Sequence, residues 1–464
     1  MPQQVPTADG GRPLTPPGSS PRYALVTAGA ICGQLSAGIV LSGLSMFTDP
    51  IRDDLWPAHD VPRAAVQSYY TVVLMVAMTT MPLAGRLIGN WGGRRLLVVG
   101  GTISTLGLIG ISTATGLAGL YLFAAITGAG FGISVNFVPV VLVNTWFEKR
   151  KSLVMGMVVA GTALGGILAS VVFSNLTPPV DEGGLGWRAT MRIAAAIFAF
   201  FALVPAIVLV VNHPADVGLP RYGARPAGGS ADSPGQVSGH LHGLKSGEAL
   251  RSGWFWLLYL ALCILGVHHA MGQITQPFFM NQQTDPGSGM TPALVGVFMT
   301  ISMVGLIAAK PALGALIDRV GMIRAVVIVL TLHAIAAIAL ASVRFPAPVW
   351  FYPVLVLAGA GFAVGTVTPP LVCAMAFGQR QFAAIYGVLG TAYMFGLAFG
   401  SVLWSQAGTV GADPGQPWQL YRWAMRWCWV LSVGIVLGYW ASVKGGRRLQ
   451  RRLRPEVVPA PIRL

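Results

Sequence analysis

Twelve apolar stretches dominate this chain, each long enough to cross a bilayer's hydrocarbon core, which takes about 20 helical residues. They fall at about 23–47, 66–88, 96–114, 118–144, 152–174, 190–211, 253–276, 292–316, 323–343, 348–377, 382–405 and 423–443. Lipid offers no water to backbone N–H and C=O groups, so a spanning helix must close its own hydrogen bonds. The expected fold is therefore an all-α integral membrane protein of twelve transmembrane helices. Composition agrees, since 10% of residues are charged against roughly 25% in soluble domains.

The polar intervals organise the spans. Residues 1–22 read as a disordered tail without a cleavable signal, and 444–464 as a basic tail. Residues 212–252 hold Pro214, Pro220, Pro226 and Pro234 among Gly and Ser. They read as a flexible linker between a six-helix bundle at 23–211 and another at 253–443. Lys and Arg favour cytoplasmic loops. With the N-terminus inside, the cytoplasmic loops and both tails gather 22 of the 30 basic residues. Both termini are thus expected in the cytoplasm, and the protein in the cell (inner) membrane as a multi-pass monomer.

The net charge of +15 does not point to nucleic acid, because the basic residues form no continuous patch. Cys32, Cys263, Cys373 and Cys428 all lie in spans without metal-ligand spacing, so no metal and no cofactor is expected. No Walker motif is present to draw on ATP, and no enzyme site is legible.

The two halves repeat. Gly85, Gly92 and Arg95 align with Gly314, Gly321 and Arg324, and Gly130, Pro139, Gly156 and Gly165 with Gly361, Pro370, Gly387 and Gly396. Paired six-helix repeats suit a secondary transporter that rocks around a midplane site. The run GALIDRVGMIR, residues 314–324, resembles the signature loop of the major facilitator superfamily, and GRLIGNWGGRR, residues 85–95, its degenerate copy. The resemblance implies a conformational latch built from Asp318, Arg319 and Arg324 around Gly314 and Gly321, with Gly85, Arg94 and Arg95 in the first copy. There Gly89 stands where the acid belongs.

A narrower resemblance, to the oxalate/formate antiporter and monocarboxylate transporter group, rests on Asn144 to Ser152 (NTWFEKRKS) and on Lys310-Pro311. A basic residue before proline in the eighth span is where that group places the cation that meets a substrate carboxylate. Arginine is usual there. Lysine keeps the charge without the bidentate fork, and Tyr393 stands where the oxalate-carrying member has a second basic residue. One cation implies a small organic anion with one carboxylate. A lysine at a helix centre costs ~2.5–3.5 kcal/mol on insertion scales, which marks Lys310 as functional, unless its stem snorkels to the interface.

Asn136, Gln34, Gln273, Tyr69 and Tyr70 are further candidates to line the pocket, or else to bond neighbouring helices. No Asp or Glu lies in a span, so a coupling proton would fall to His268, His269, Lys310 or the substrate, unless the His pair only packs. Exchange against a counter-anion needs no such group. The leading expectation is a secondary or exchange transporter of a monocarboxylate. An efflux carrier for hydrophobic compounds and a non-transporting sensor are the alternatives.

Overall fold

Among the residues that the computed structural model describes (20–58, 60–179, 183–224, 243–274, 291–343, 349–407 and 419–453), eleven helices are long and apolar enough to cross a membrane. The first unit of the chain, Met1–Gly243, contains α1 (Arg22–Gly38), α2 (Arg63–Thr113), α3 (Leu117–Ile133), α4 (Val138–Trp146), α5 (Lys151–Leu176) and α6 (Gly186–Val208). The second, Leu244–Leu464, contains α7 (Gly253–Ala270), α8 (Pro292–Val320), α9 (Met322–Ser342), α10 (Phe351–Gly361), α11 (Ala363–Phe377), α12 (Phe382–Ala407) and α13 (Gln419–Leu453).

The 51 residues of α2 would reach about 76 Å at 1.5 Å per residue, more than twice the membrane core. The helix is broken at Gly92, where φ is 77° and ψ 158°. It therefore makes two spans, and the total is twelve. Gly321 repeats the excursion between α8 and α9, with φ 94° and ψ 164°. Positive φ of this kind is tolerated by glycine and little else, which explains why the repeat keeps this residue.

Two expected spans are interrupted. The fourth is split into α3 and α4, and the tenth into α10 and α11. Pro139 is the reason in the first case, because it has no N–H to offer the carbonyl four residues back, Val135. The Gln34 side chain on α1 supplies the missing donor, at 3.2 Å. Replacing Gln34 by Leu leaves that carbonyl buried without its bond, a penalty of about 1–3 kcal/mol. A lowered melting temperature in detergent is the expected readout, and an unchanged one would remove Gln34 from this role.

Each unit also repeats one close helix crossing. α1 meets α5 where Gly38 lies against the Thr162 and Gly166 backbone and Gly165 against Leu35. α7 meets α12 in the same way, Gly266 against the backbone from Tyr393 to Leu397 and Gly396 against Cys263. Such small-residue contacts let helix backbones approach in a membrane.

The described ends of the segment expected as a flexible linker are docked rather than free. In the first unit Tyr222 N–H donates to the Trp146 carbonyl at 2.9 Å, and Glu148 and Lys149 N–H donate back to Tyr222. The Arg221 guanidinium caps the end of α4 through the Asn144, Thr145 and Phe147 carbonyls at 2.7, 3.0 and 3.3 Å. A cation at the negative end of a helix is favourable. Burial lowers the Arg221 pKa from its ordinary value, and the Glu148 carboxylate opposes that. In the second unit Leu244 N–H donates to Phe377, the repeat equivalent of Trp146, again at 2.9 Å. Residues 225–242 lie outside the described part.

Candidate functional site

Lys310 sits on α8 immediately before Pro311 and is 2% exposed. The residue is enclosed by protein. It lies within electrostatic range of His269, the next-to-last residue of α7. The His269 Nδ1 and the Tyr393 hydroxyl, from α12, are hydrogen-bonded at 2.9 Å, with the rings edge-on at 83°. The α7–α12 crossing at Gly266 and Gly396 brings these two side chains together.

Phe362, at the break between α10 and α11, is the centre of an aromatic cluster. Its ring centroid lies 5.2 Å from His269, 6.4 Å from His268 and 4.9 Å from His333 on α9. His268 and His333 are themselves 4.9 Å apart. Both are 1% exposed. His333 Nδ1 contacts the Ala358 carbonyl at 2.9 Å. A carbonyl only accepts, so Nδ1 carries the hydrogen and Nε2 of the neutral ring is left as a lone-pair acceptor.

Glycines make the room for these rings. A Cβ on Gly361 would enter the His333 imidazole, one on Gly365 would meet His269 Nδ1 and the Tyr393 hydroxyl, and one on Gly272 would strike Phe362. A buried cation within electrostatic range of a hydroxyl–imidazole pair matches the needs of a carboxylate. The ammonium supplies charge, and the O–H or N–H supplies a directed donor to the second oxygen.

In the first unit the candidates have mostly structural employment. Gln34 serves Val135, as described above. Tyr69 donates its hydroxyl to the Leu44 carbonyl and is fully buried. Tyr70 donates to Leu41 at 2.8 Å. Both acceptors lie in the irregular continuation of α1, a π segment over Ile39–Gly43 and a 3-10 segment over Leu44–Phe47. Their hydroxyls thus support a distorted helix end. Asn136 occupies the α3–α4 break, its amide nitrogen 3.6 Å from the Met81 sulfur. The side chain of Gln273 lies outside the described residues.

The loop residues are divided between the units. Gly314 and Gly321 are buried, while Asp318, Arg319 and Arg324 are exposed around the turn. In the degenerate copy Gly85 is buried and Arg95 exposed. Arg94 is fastened to the end of α6, its N–H donating to the Asn212 side-chain oxygen at 2.9 Å and its guanidinium to the Ile207 carbonyl at 2.6 Å.

Sequence reasoning missed His333, Phe362 and Gly365, and took Gly361 only as a repeat match. A histidine in the middle of the ninth span was a signal in plain view, since an imidazole in lipid needs a polar reason to be there. Phe362 and the glycines carry no such signal, because their roles depend on which helices meet.

The family model described as Major Facilitator Superfamily matches residues 23–401. An oxalate:formate antiporter from Oxalobacter formigenes is 21% identical over 78% of this chain and 81% of its own length. Human monocarboxylate transporter 11 is 26% identical over 46% of this chain and 43% of its own. The crystal structure of a transporter called FucP, in the outward conformation, superposes with a TM-score of 0.60 at 14% identity. It covers 90% of this chain and 98% of that one.

Proposed function

The chain belongs to the Major Facilitator Superfamily, and on that premise we propose that this multi-pass transporter moves a small organic anion bearing one carboxylate. The observation that carries the proposal is the buried Lys310 in electrostatic range of His269, which is hydrogen-bonded to Tyr393. In this reading Lys310 binds the carboxylate as a point charge and Tyr393 orients it. Transport proceeds by alternating access. The named oxalate:formate and monocarboxylate relatives support the same substrate class. The protein works as a monomer in the cell's inner membrane with both termini in the cytoplasm, in accord with the distribution of Lys and Arg.

Formate, L-lactate and oxalate provide the test. Purified protein is heated with each, since a ligand at a hundredfold its Kd stabilises the folded state by about 2.7 kcal/mol. Radiolabelled uptake is then followed in proteoliposomes. The expected result is a raised melting temperature and time-dependent uptake with at least one monocarboxylate. If none of the three binds or moves while a neutral lipophilic compound does, the efflux reading replaces this one.

The exposed Asp318, Arg319 and Arg324 act as a latch that forms in one conformation and opens in the other, with Gly85, Arg94 and Arg95 completing the degenerate copy. Asp318→Asn should slow turnover in the same liposomes more than it raises the half-saturating concentration. A change in affinity alone would remove the latch role.

A further inference from the structure

Two buried nitrogens in the second unit are unaccounted for by the carboxylate site. Among the described residues, neither His268 Nε2 nor His333 Nε2 has a hydrogen-bond partner. They belong to neighbouring rings, 4.9 Å between centroids and tilted by 59°. His333 is fixed by Ala358 with Nε2 as its acceptor. A buried polar atom without a partner is costly, and one proton shared by these neighbouring rings, directly or through a water, would satisfy both.

We propose that His268 and His333 form a proton-carrying pair, distinct from the carboxylate site, which couples the movement of the anion to that of one proton. The proton enters from water on one side of the membrane, is held between the two Nε2 atoms, and leaves to water on the other. No other bond is made or broken, and nothing is oxidised. Imidazole is the side chain whose ordinary titration range suits this exchange, and the spans contain no Asp or Glu to do it.

The surrounding groups explain the coupling. His269 lies next to His268 on α7, with Lys310 of α8 in electrostatic range of it, Tyr393 of α12 hydrogen-bonded to it, and Tyr439 of α13 in electrostatic range of Tyr393. The break after α10 adds the Phe362 ring, and α10 itself the Ala358 carbonyl. Electrostatic interactions run from Lys310 to His269 and from His269 and His333 to His268. A positive Lys310 disfavours positive charge at His269, and His269 in turn disfavours it at His268. A carboxylate on Lys310 removes that repulsion, so anion and proton favour each other's binding, and by linkage the effect is reciprocal.

This inference rests on the carboxylate reading for its coupling but not for its proton site, and the experiment separates the two. Protein labelled with 15N-histidine in nanodiscs is titrated from pH 5 to 8, with and without L-lactate. The expected result is that both rings change in a single step that His268→Gln and His333→Gln each abolish. Lactate should move that step upward by about one pH unit, a tenfold coupling within the usual range. Rings that stay neutral throughout, or that titrate independently, overturn the pair.

In proteoliposomes loaded with a pH dye, and with protein-free liposomes as the baseline, lactate entry should acidify the lumen. Each glutamine variant should lose gradient-driven uptake at least tenfold more than lactate–lactate exchange. Equal loss of both overturns the coupling. A step that appears in the titration without any lactate effect or uptake leaves the proton site standing and sinks both the carboxylate reading and the coupling.

Discussion

Lys310→Ala is expected to lower monocarboxylate uptake by about 30-fold or more, and Lys310→Arg to keep part of it. Truncating one partner of a buried, hydrogen-bonded charge pair costs about 2–5 kcal/mol, and each 1.4 kcal/mol is a factor of ten. Arginine preserves the charge, but its planar fork replaces a compact ammonium in a cluster where Lys310 is 2% exposed, so the fit suffers. A structural lysine predicts a different pattern. Removing one partner of a buried structural charge pair is strongly destabilising, so an alanine variant of such a lysine should melt at a lower temperature. Lost transport with retained stability is the signature of a binding residue. Normal uptake by the alanine variant, at matched membrane expression, would falsify the assignment.

Gly365→Ala is expected to damage the site through a single methyl group. The new carbon would be driven into His269 Nδ1, with the Tyr393 hydroxyl at 3.0 Å, so the hydrogen-bonded pair must part or α7 and α12 must shift. Overpacking of this kind costs about 1–3 kcal/mol, and uptake should fall by roughly tenfold, the equivalent of about 1.4 kcal/mol. Gly296→Ala, in α8, makes the same chemical change where no heavy atom lies within 4 Å. It should raise helix stability by up to about 1 kcal/mol and leave transport intact. The comparison isolates close approach from helix propensity. If the two variants behave alike in melting and uptake, the Tyr393–His269 contact does not depend on the glycine.

Much of the fold was legible because lipid restricts the choices. Apolar stretches of sufficient length have to be helical, and Gly92 and Gly321 declared a turn that the structure realises with nearly the same φ and ψ. From sequence the fourth span reads as continuous and Pro139 only as a repeat match, so neither the break nor the donor that repairs it was foreseen. Gln34 lies about a hundred residues away, and only the packing of α1 against α4 and the break before it assigns it to the Val135 carbonyl. Tyr69 and Tyr70 show the same limit. A tyrosine in a span announces a hydroxyl that needs a partner, not whether the partner is a substrate or an irregular helix end.

The site divides along this line. Sequence alone singled out Lys310, because a charge inside an apolar run is costly enough to need a reason, and it singled out the loop around Asp318 through its repetition. Tertiary structure decided which groups stand near Lys310. The α7–α12 crossing joins His269 to Tyr393, and the break at Phe362, with Gly361 and Gly365, opens space for three imidazoles drawn from two helices. Burial energies act on residues one at a time and so leave a mark in the sequence. Proximity between helices is a property of pairs, fixed by how closely two backbones can approach, and it becomes visible only when the chain is folded.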